Sequence, residues 1–281
     1  MSAIVLGLIA AAGWGFHDFC VRFISQKVPI SACITVVFIA GLLFQIVLIL
    51  GTGRTAPVPT EAFAPIIGAG IAFTIANFGL YGAFQRGPVW LAAPLVACFS
   101  VISVGWSALG GTAIMPMQWL AVLVILLGIG IVATLSDETD DRAPAKGPTI
   151  LYALVAAVAF SATFKFGQAV TELSNEMMSA LATRLIAIGT IVIVFAAMRL
   201  PFWPGKQNLG LLGIMGIADG IAILAVVSAG GLHDAQYAAV ATSMYGLPTI
   251  WLASMFLKER INLKQWIGCI IAFCGVGYLA L

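Results

Sequence analysis

The sequence predicts an all-α integral membrane protein whose ten transmembrane helices form two inverted five-helix repeats. Three observations lead to this fold class. Of the 281 residues, 62% are apolar and only 9% are charged, with a mean hydropathy of +1.09, so polar surface is too scarce for a water-soluble globule. The apolar residues form runs long enough to span a bilayer. The phrase QWLAVLVILLGIG at 118–130 returns as QWIGCIIAFCGVG at 265–277.

Each span is predicted from an apolar run bounded by polar, proline or glycine breaks. A helix needs roughly 20 apolar residues to cross the hydrocarbon core. We expect the first run to be a retained helix rather than a signal peptide, because it has no basic start and is too long. The runs lie at 2–24, 31–51, 62–84, 88–110, 115–135, 149–169, 176–198, 208–230, 235–257 and 262–281.

Two connections between the runs are longer than the rest. GTGRTAPVPTE follows the second run, and SDETDDRAPAKGP follows the fifth. The latter is the most hydrophilic stretch of the chain and lies near its midpoint. We therefore assign residues 1–135 to the first repeat, 136–148 to a polar linker and 149–281 to the second repeat.

An offset of 147 residues relates the two halves. It carries the first span onto the sixth and places Lys165 opposite Asp18. Because five spans is an odd number, the second copy enters the bilayer from the side opposite to the first. Inverted repeats are typical of alternating-access transporters, whose substrate site lies near the membrane midplane between the halves. The same offset pairs Gln118 with Gln265, Trp119 with Trp266, Gly128 with Gly275 and Gly130 with Gly277.

Cofactor and metal sites are not expected. GIGIVA at 128–133 and GVGYLA at 275–280 match the dinucleotide pattern G-x-G-x-x-A, but both lie within a helix instead of between a strand and a helix. We interpret these glycines as helix-packing positions. The cysteines fall in or beside apolar runs without metal-ligand spacing, so we infer neither a metal nor a disulfide; they are Cys20, Cys33, Cys98, Cys269 and Cys274.

Two long segments resemble a known family. LYGAFQRGPVWLAAPLVACFSVISVGWSAL and SAGGLHDAQYAAVATSMYGLPTIWLASMFLKERINLKQWIGCIIAFCGVGYL are similar to the EamA-type repeats of the drug/metabolite transporter superfamily. The second repeat carries the family's proline as Pro248, its acidic turn as LKER at 257–260, and its Q-x-x-G at 265–268. The first repeat departs from the pattern, with Val101 at the proline position and Gly111-Thr112 opposite Lys258-Glu259. The resemblance implies export of an amino acid or another small metabolite.

Four charged side chains and a histidine lie clearly inside the predicted spans, away from their ends, where a charge costs about 2.5–3.5 kcal/mol even on lenient insertion scales. Asp219 is at the centre of its span, where it lines the pathway or carries a proton, or else pairs structurally with Lys165 or Arg184. For both bases, substrate contact competes with snorkelling to the interface. His17 and Asp18 could titrate near neutral pH and couple transport to protons, or form a solvated pair at the helix end.

Apart from His17, the charged groups inside the spans are two acids and two bases, so their formal charges sum to zero. A cavity lined by them would suit a zwitterion, although mutual pairing gives the same sum. His17 is also a candidate for substrate contact. Further substrate-binding candidates are polar or aromatic groups within the spans, for which packing or lipid contact is the alternative: Trp14, Asn77, Tyr81, Trp106 and Tyr245. Pro94 and Pro248 lie inside spans, and we interpret them as hinge or cavity-shaping positions.

The orientation in the membrane has two competing predictions. We number each connection between spans by the span that precedes it. The even-numbered connections then hold a single basic residue, Arg54. By the positive-inside rule the odd-numbered connections are cytoplasmic and both termini lie outside, whereas the family resemblance implies cytoplasmic termini. The odd-numbered connections hold Arg22, Lys27, Arg86, Arg142, Lys146, Arg199, Lys206, Lys258, Arg260 and Lys264.

The favoured function is secondary transport. An enzyme is not expected, since the sequence has no H-E-x-x-H and no G-x-S-x-G, and the lack of a nucleotide-binding P-loop argues against an ATP-driven pump. The expected partners are a small-molecule substrate and the lipid of the inner membrane; a net charge of +2 with scattered basic residues excludes nucleic acid. Both a monomer and an oligomer fit the sequence. Two alternatives to amino-acid export are efflux of cationic aromatic compounds through Asp18, and exchange of phosphorylated sugars clamped by Lys165 and Arg184.

Overall fold

The structure, a computed structural model, describes residues 2–111, 113–134, 146–230, 232 and 235–281, and most of these residues are helical. The helices, numbered in chain order, are α1 (Ala3–Ile24), α2 (Ile30–Thr52), α3 (Phe63–Arg86), α4 (Val89–Ala97), α5 (Phe99–Leu109), α6 (Pro116–Thr134), α7 (Lys146–Leu173), α8 (Glu176–Ala197), α9 (Leu209–Gly230), α10 (Ala235–Ser243), α11 (Gly246–Phe256) and α12 (Leu263–Leu279).

These helices form the predicted ten spans. Eight spans are continuous, while α4 with α5 and α10 with α11 each form one broken span. Within the described residues, seven helical segments are long and apolar enough to cross a membrane, and Pro116–Val132 and Leu263–Leu279 are shorter apolar helices. The predicted linker lies outside the described residues up to position 145. Residues 146–148 already belong to α7, because Pro148 falls in the first turn, where proline is tolerated.

Both broken spans are interrupted next to the prolines singled out in the sequence. The fourth span breaks at Cys98, four residues after Pro94. Pro94 offers no N–H to the carbonyl of Trp90, and that oxygen instead accepts from the Cys269 thiol at 3.6 Å. The ninth span breaks before α11, in which Pro248 is the third residue. The interruptions are therefore observed, whereas hinge motion at these positions stays a prediction.

The packing between the two repeats follows a two-fold symmetry. The main pairs are α3 with α7 and α1 with α9, then α2 with α9 and α3 with α8, while α6 packs with α12. If each span is replaced by its counterpart in the other repeat, the α3–α7 pair becomes α9–α1 and the α2–α9 pair becomes α8–α3. The α6–α12 pair becomes itself. Because each repeat has five spans, the two copies related in this way run in opposite directions through the membrane.

The α6–α12 contact explains part of the repeated phrase. A Cβ on Gly128 would lie 2.5 Å from the backbone nitrogen of Ala272, and one on Gly275 would lie 2.7 Å from the side chain of Ile125. These two glycines are packing positions, as predicted, because only a hydrogen fits between the helices. The prediction is wrong for Gly130, where a Cβ would have no neighbouring atom within 4 Å.

Burial differs sharply between the two sides of the membrane, which we name the odd side and the even side after the connections that lie there. In the fourth span, all nine residues of α4, which begins at the odd side, are buried. No residue of α5, which ends at the even side, is buried. The helices therefore pack tightly around α4 at the odd side and leave α5 partly uncovered toward the even side.

Candidate functional site

The centre of the site is an ion pair midway along α9. Asp219 lies in the middle of α9, and its carboxylate pairs with the guanidinium of Arg184 on α8. The Arg184 side chain is only 2% exposed. The guanidinium packs against Gly41 on α2, where any side chain would overlap it. Of the two partners that the sequence left open for Asp219, the structure selects Arg184.

The same carboxylate also connects to the first repeat. Trp14 on α1 donates its indole N–H to the other oxygen of Asp219 at 2.9 Å. The Tyr245 ring meets the Trp14 ring edge-on, with centroids 6.3 Å apart. Asp219 is thus held by one donor from each repeat, so that relative movement of the repeats must alter its hydrogen bonding.

Aromatic rings surround the buried base. The Cζ atom of Arg184 lies 5.8 Å from the ring centroids of both Phe38 on α2 and Phe73 on α3. These two rings stack on one another at 4.9 Å. Cation–π attraction of this kind stabilises a desolvated guanidinium by about 2 kcal/mol. Neither phenylalanine is among the predicted site residues, because nothing in the sequence distinguishes them from the other apolar residues of their spans.

Several polar atoms in this region have no protein partner. The Nε and Nη1 atoms of Arg184 and both amide atoms of Gln45 are buried without a hydrogen bond among the described residues. Gln45 is 2% exposed and lies one helical turn from Gly41 on α2. Gln45 is not among the predicted candidates, although the criterion that singles out Asn77, an amide within an apolar run, applies to it equally.

A second polar cluster lies one turn further along α1. His17 Nδ1 is 2.9 Å from the Asp18 carboxylate, and Tyr81 OH on α3 is 3.4 Å from His17 Nε2. Asn77, on the same face of α3 as Tyr81, donates to the carbonyl of its own helix at Phe73, at 2.9 Å. His17, Asp18, Tyr81 and Asn77 are all buried. Within the described residues, no three His, Cys, Asp or Glu side chains are grouped closely enough to hold a metal ion.

Lys165 and Trp106 lie apart from these clusters. The Lys165 ammonium sits 4.6 Å from the centroid of the Trp106 ring, and both residues are exposed. In the described chain, no carboxylate is within ion-pair distance of Lys165. A cavity of about 590 Å³ lies near this pair on the even side, between α5, α6, α7 and the ends of α10 and α12; its walls include Phe99, Ser103, Ser107, Gln118, Phe164 and Ser243.

An ion pair lies at the odd side. Arg22, near the end of α1, donates Nε to Glu259 at 2.7 Å, and Glu259 also accepts from the backbone N–H of Val89 at 2.8 Å. Arg22 further donates to the carbonyls of Phe84 and Gln85. We call Arg22, Glu259 and these backbone groups the odd-side network. Although Glu259 is recognisable in the sequence as part of the acidic turn, its partner 237 residues away is not.

Comparisons with known proteins agree with this architecture. The model of the EamA-like transporter family matches residues 1–134 and 147–281. A solved structure described as "Crystal structure of protein" has a TM-score of 0.67 to this chain, with 18% sequence identity over 99% of this chain and 96% of the other. This likeness concerns the fold. A search of curated proteins finds no match.

Proposed function

Because the chain belongs to the EamA-like transporter family of the drug/metabolite transporter superfamily and is therefore a membrane transporter, we propose that its substrate is an amino acid or a related zwitterion, exported across the inner membrane. The observation that carries this proposal is the pair of Arg184 and Asp219, which is held by Trp14 from the opposite repeat. A buried acid and a buried base side by side offer opposite charges to the two ends of a zwitterion.

The transport cycle follows from the unequal burial of the two sides. In this conformation, the odd-side network is formed and the even side is less closely packed. We therefore expect the substrate to enter from the even side, where α5 is uncovered. Since Trp14 and Arg184 belong to different repeats, substrate that displaces the Trp14–Asp219 hydrogen bond loosens the contact between the halves. Rocking of one repeat against the other then opens the odd side.

We assign proton coupling to His17, Asp18 and Asp219. The hydrogen bond between His17 and Asp18 gives a proton two neighbouring acceptors, and Tyr81 holds the far side of the imidazole. Trp14 lies one helical turn from Asp18 and also donates a hydrogen bond to Asp219. Protonation of Asp18 is therefore transmitted through Trp14 to the hydrogen bond that holds Asp219. A proton taken up on one side of the membrane would then accompany each transport cycle.

The two alternative substrates have less support. An exchanger of phosphorylated sugars would require Lys165 and Arg184 together without an acid, but Arg184 pairs with Asp219, and Lys165 contacts Trp106 instead. A cation exporter would require a site of net negative charge, whereas Asp219 is paired with Arg184 and Asp18 is bonded to His17. Neither arrangement favours a substrate with a single sign of charge.

The test is transport by the purified protein in liposomes. Labelled amino acids, sugar phosphates and organic cations are offered in turn, with and without a pH gradient. We expect an amino acid to enter and the pH gradient to drive its accumulation. Accumulation of only sugar phosphates or only organic cations, with no amino acid carried, contradicts the proposal.

A charge-pair cycle connects this transport to the proposed site. Asp219→Asn leaves Arg184 as an unpaired buried charge, which costs about 3–5 kcal/mol of stability, and Arg184→Gln leaves the acid unpaired in the same way. We expect each single variant to lose transport, and the double variant to recover stability but not transport. Glu61→Gln, at an exposed acid before α3, serves as the matched control.

A further inference from the structure

Gln45 is a buried amide whose hydrogen-bonding groups are both unused. It is 2% exposed, and neither its nitrogen nor its oxygen has a partner in the described chain. Buried amides in a membrane interior are expensive unless they are hydrogen-bonded, and native proteins rarely leave them unpaired. This amide therefore points to a bonding partner that the protein itself does not supply.

The unused groups of Arg184 lie next to the same stretch of α2. Its Nη1 atom packs against Gly41, which is on the same face of α2 as Gln45 and one turn away. Nη1 and Nε have no acceptor among the described residues, while Nη2 is committed to Asp219. Gln45 and the unused nitrogens of Arg184 thus lie along one face of α2, at Gly41 and one turn beyond it, and we call this face together with the Arg184 side chain the recess.

We propose that this recess binds the carboxylate of the substrate, with Gln45 Nε2 and Arg184 Nη1 as donors. This inference rests on the proposed function and names the groups that recognise one end of the zwitterion. Asp219 already neutralises the guanidinium, so the recess suits an anion of one charge rather than a dianion such as phosphate. The substrate ammonium is then left for the side of Asp219 and Asp18, where Trp14 and Tyr245 offer aromatic faces.

The test compares probes that differ only in the carboxylate. The pairs are L-leucine with 3-methylbutylamine and L-phenylalanine with 2-phenylethylamine, each measured in liposomes containing the full chain. Gln45→Leu removes the amide at nearly constant volume, and Gln168→Leu, at an exposed position on α7, is the control. We expect Gln45→Leu to reduce the rate for the amino acid roughly tenfold or more while the rate for the amine is unchanged.

A second measurement separates recognition from folding. If Gln45 is an unpaired amide in the empty protein, Gln45→Leu should raise the unfolding temperature even as it lowers selectivity for the carboxylate. Equal loss for acid and amine, or no loss for either, overturns the assignment of the recess and leaves amino-acid transport standing. Failure of the unaltered protein to carry either amino acid overturns the assignment together with the transport of these substrates.

Discussion

Removing the charge of Glu259 is predicted to open the odd side. Its carboxylate accepts two hydrogen bonds, from Arg22 Nε at 2.7 Å and from the Val89 N–H at 2.8 Å. In Glu259→Gln one of the two oxygens becomes an NH₂ group that cannot accept, and the acceptor of the remaining bond is neutral. Hydrogen bonds to charged groups contribute about 1.5–3 kcal/mol and neutral ones about 0.5–1.5 kcal/mol.

The expected shift follows from these values and from the partial exposure of the pair. The Arg22 and Glu259 side chains are 20% and 12% exposed, so we take the low end of the range, about 2 kcal/mol in total. Since about 1.4 kcal/mol changes an equilibrium tenfold, the ratio of closed to open molecules should fall roughly 30-fold. Transport should become faster if opening of the odd side limits the cycle.

Distances between spin labels measure this ratio directly. Lys27→Cys and Lys264→Cys place labels at exposed positions flanking the odd-side network, in a protein whose exposed Cys274 is replaced by serine. We expect Glu259→Gln to move population from the short to the long distance, and Glu61→Gln to leave the distribution unchanged. An identical distribution for Glu259→Gln and Glu61→Gln would refute the closing role of this ion pair.

Two further substitutions test close contacts against matched controls on the same helices. Gly41→Ala should displace the guanidinium of Arg184 and lower both transport and thermal stability, whereas Gly51→Ala, with open space around it, should change neither; equal behaviour of the two variants would contradict the packing described for α2. Gly128→Val should lower the unfolding temperature by separating α6 from α12, whereas Gly130→Val should not. A lower unfolding temperature for the second variant alone would show that the wrong face of α6 had been assigned.

The span pattern can be predicted from sequence because the bilayer imposes length and composition on each helix separately. Every span requires about 20 apolar residues, and prolines inside two of them mark the interruptions near Pro94 and Pro248. The start of α7 is harder to predict, because the polar residues Lys146 and Gly147 are typical of a linker, although polar groups are also stable in a first helical turn at the membrane interface.

The site can be predicted only as a set of candidate residues. A charge in an apolar run is conspicuous, which is why Asp219 and Arg184 are identified, but a single sequence does not reveal which buried charge meets which. Lys165 resembles Arg184 in its sequence context, yet it lies outside the cluster, against Trp106. Glu259 and Arg22 lie at helix ends, where charges are ordinary, so only their tertiary contact distinguishes them.

The odd-side network has no charged counterpart in the other repeat. At an offset of 147 residues, Arg22 corresponds to Ala169 and Glu259 to Thr112. Among the residues that the structure describes, an ion pair lies at the odd side and none lies at the even side, so an empty carrier should rest facing the even side. Half-saturating concentrations measured from the two faces of the membrane would then be unequal, with the lower value at the face where the resting carriers collect.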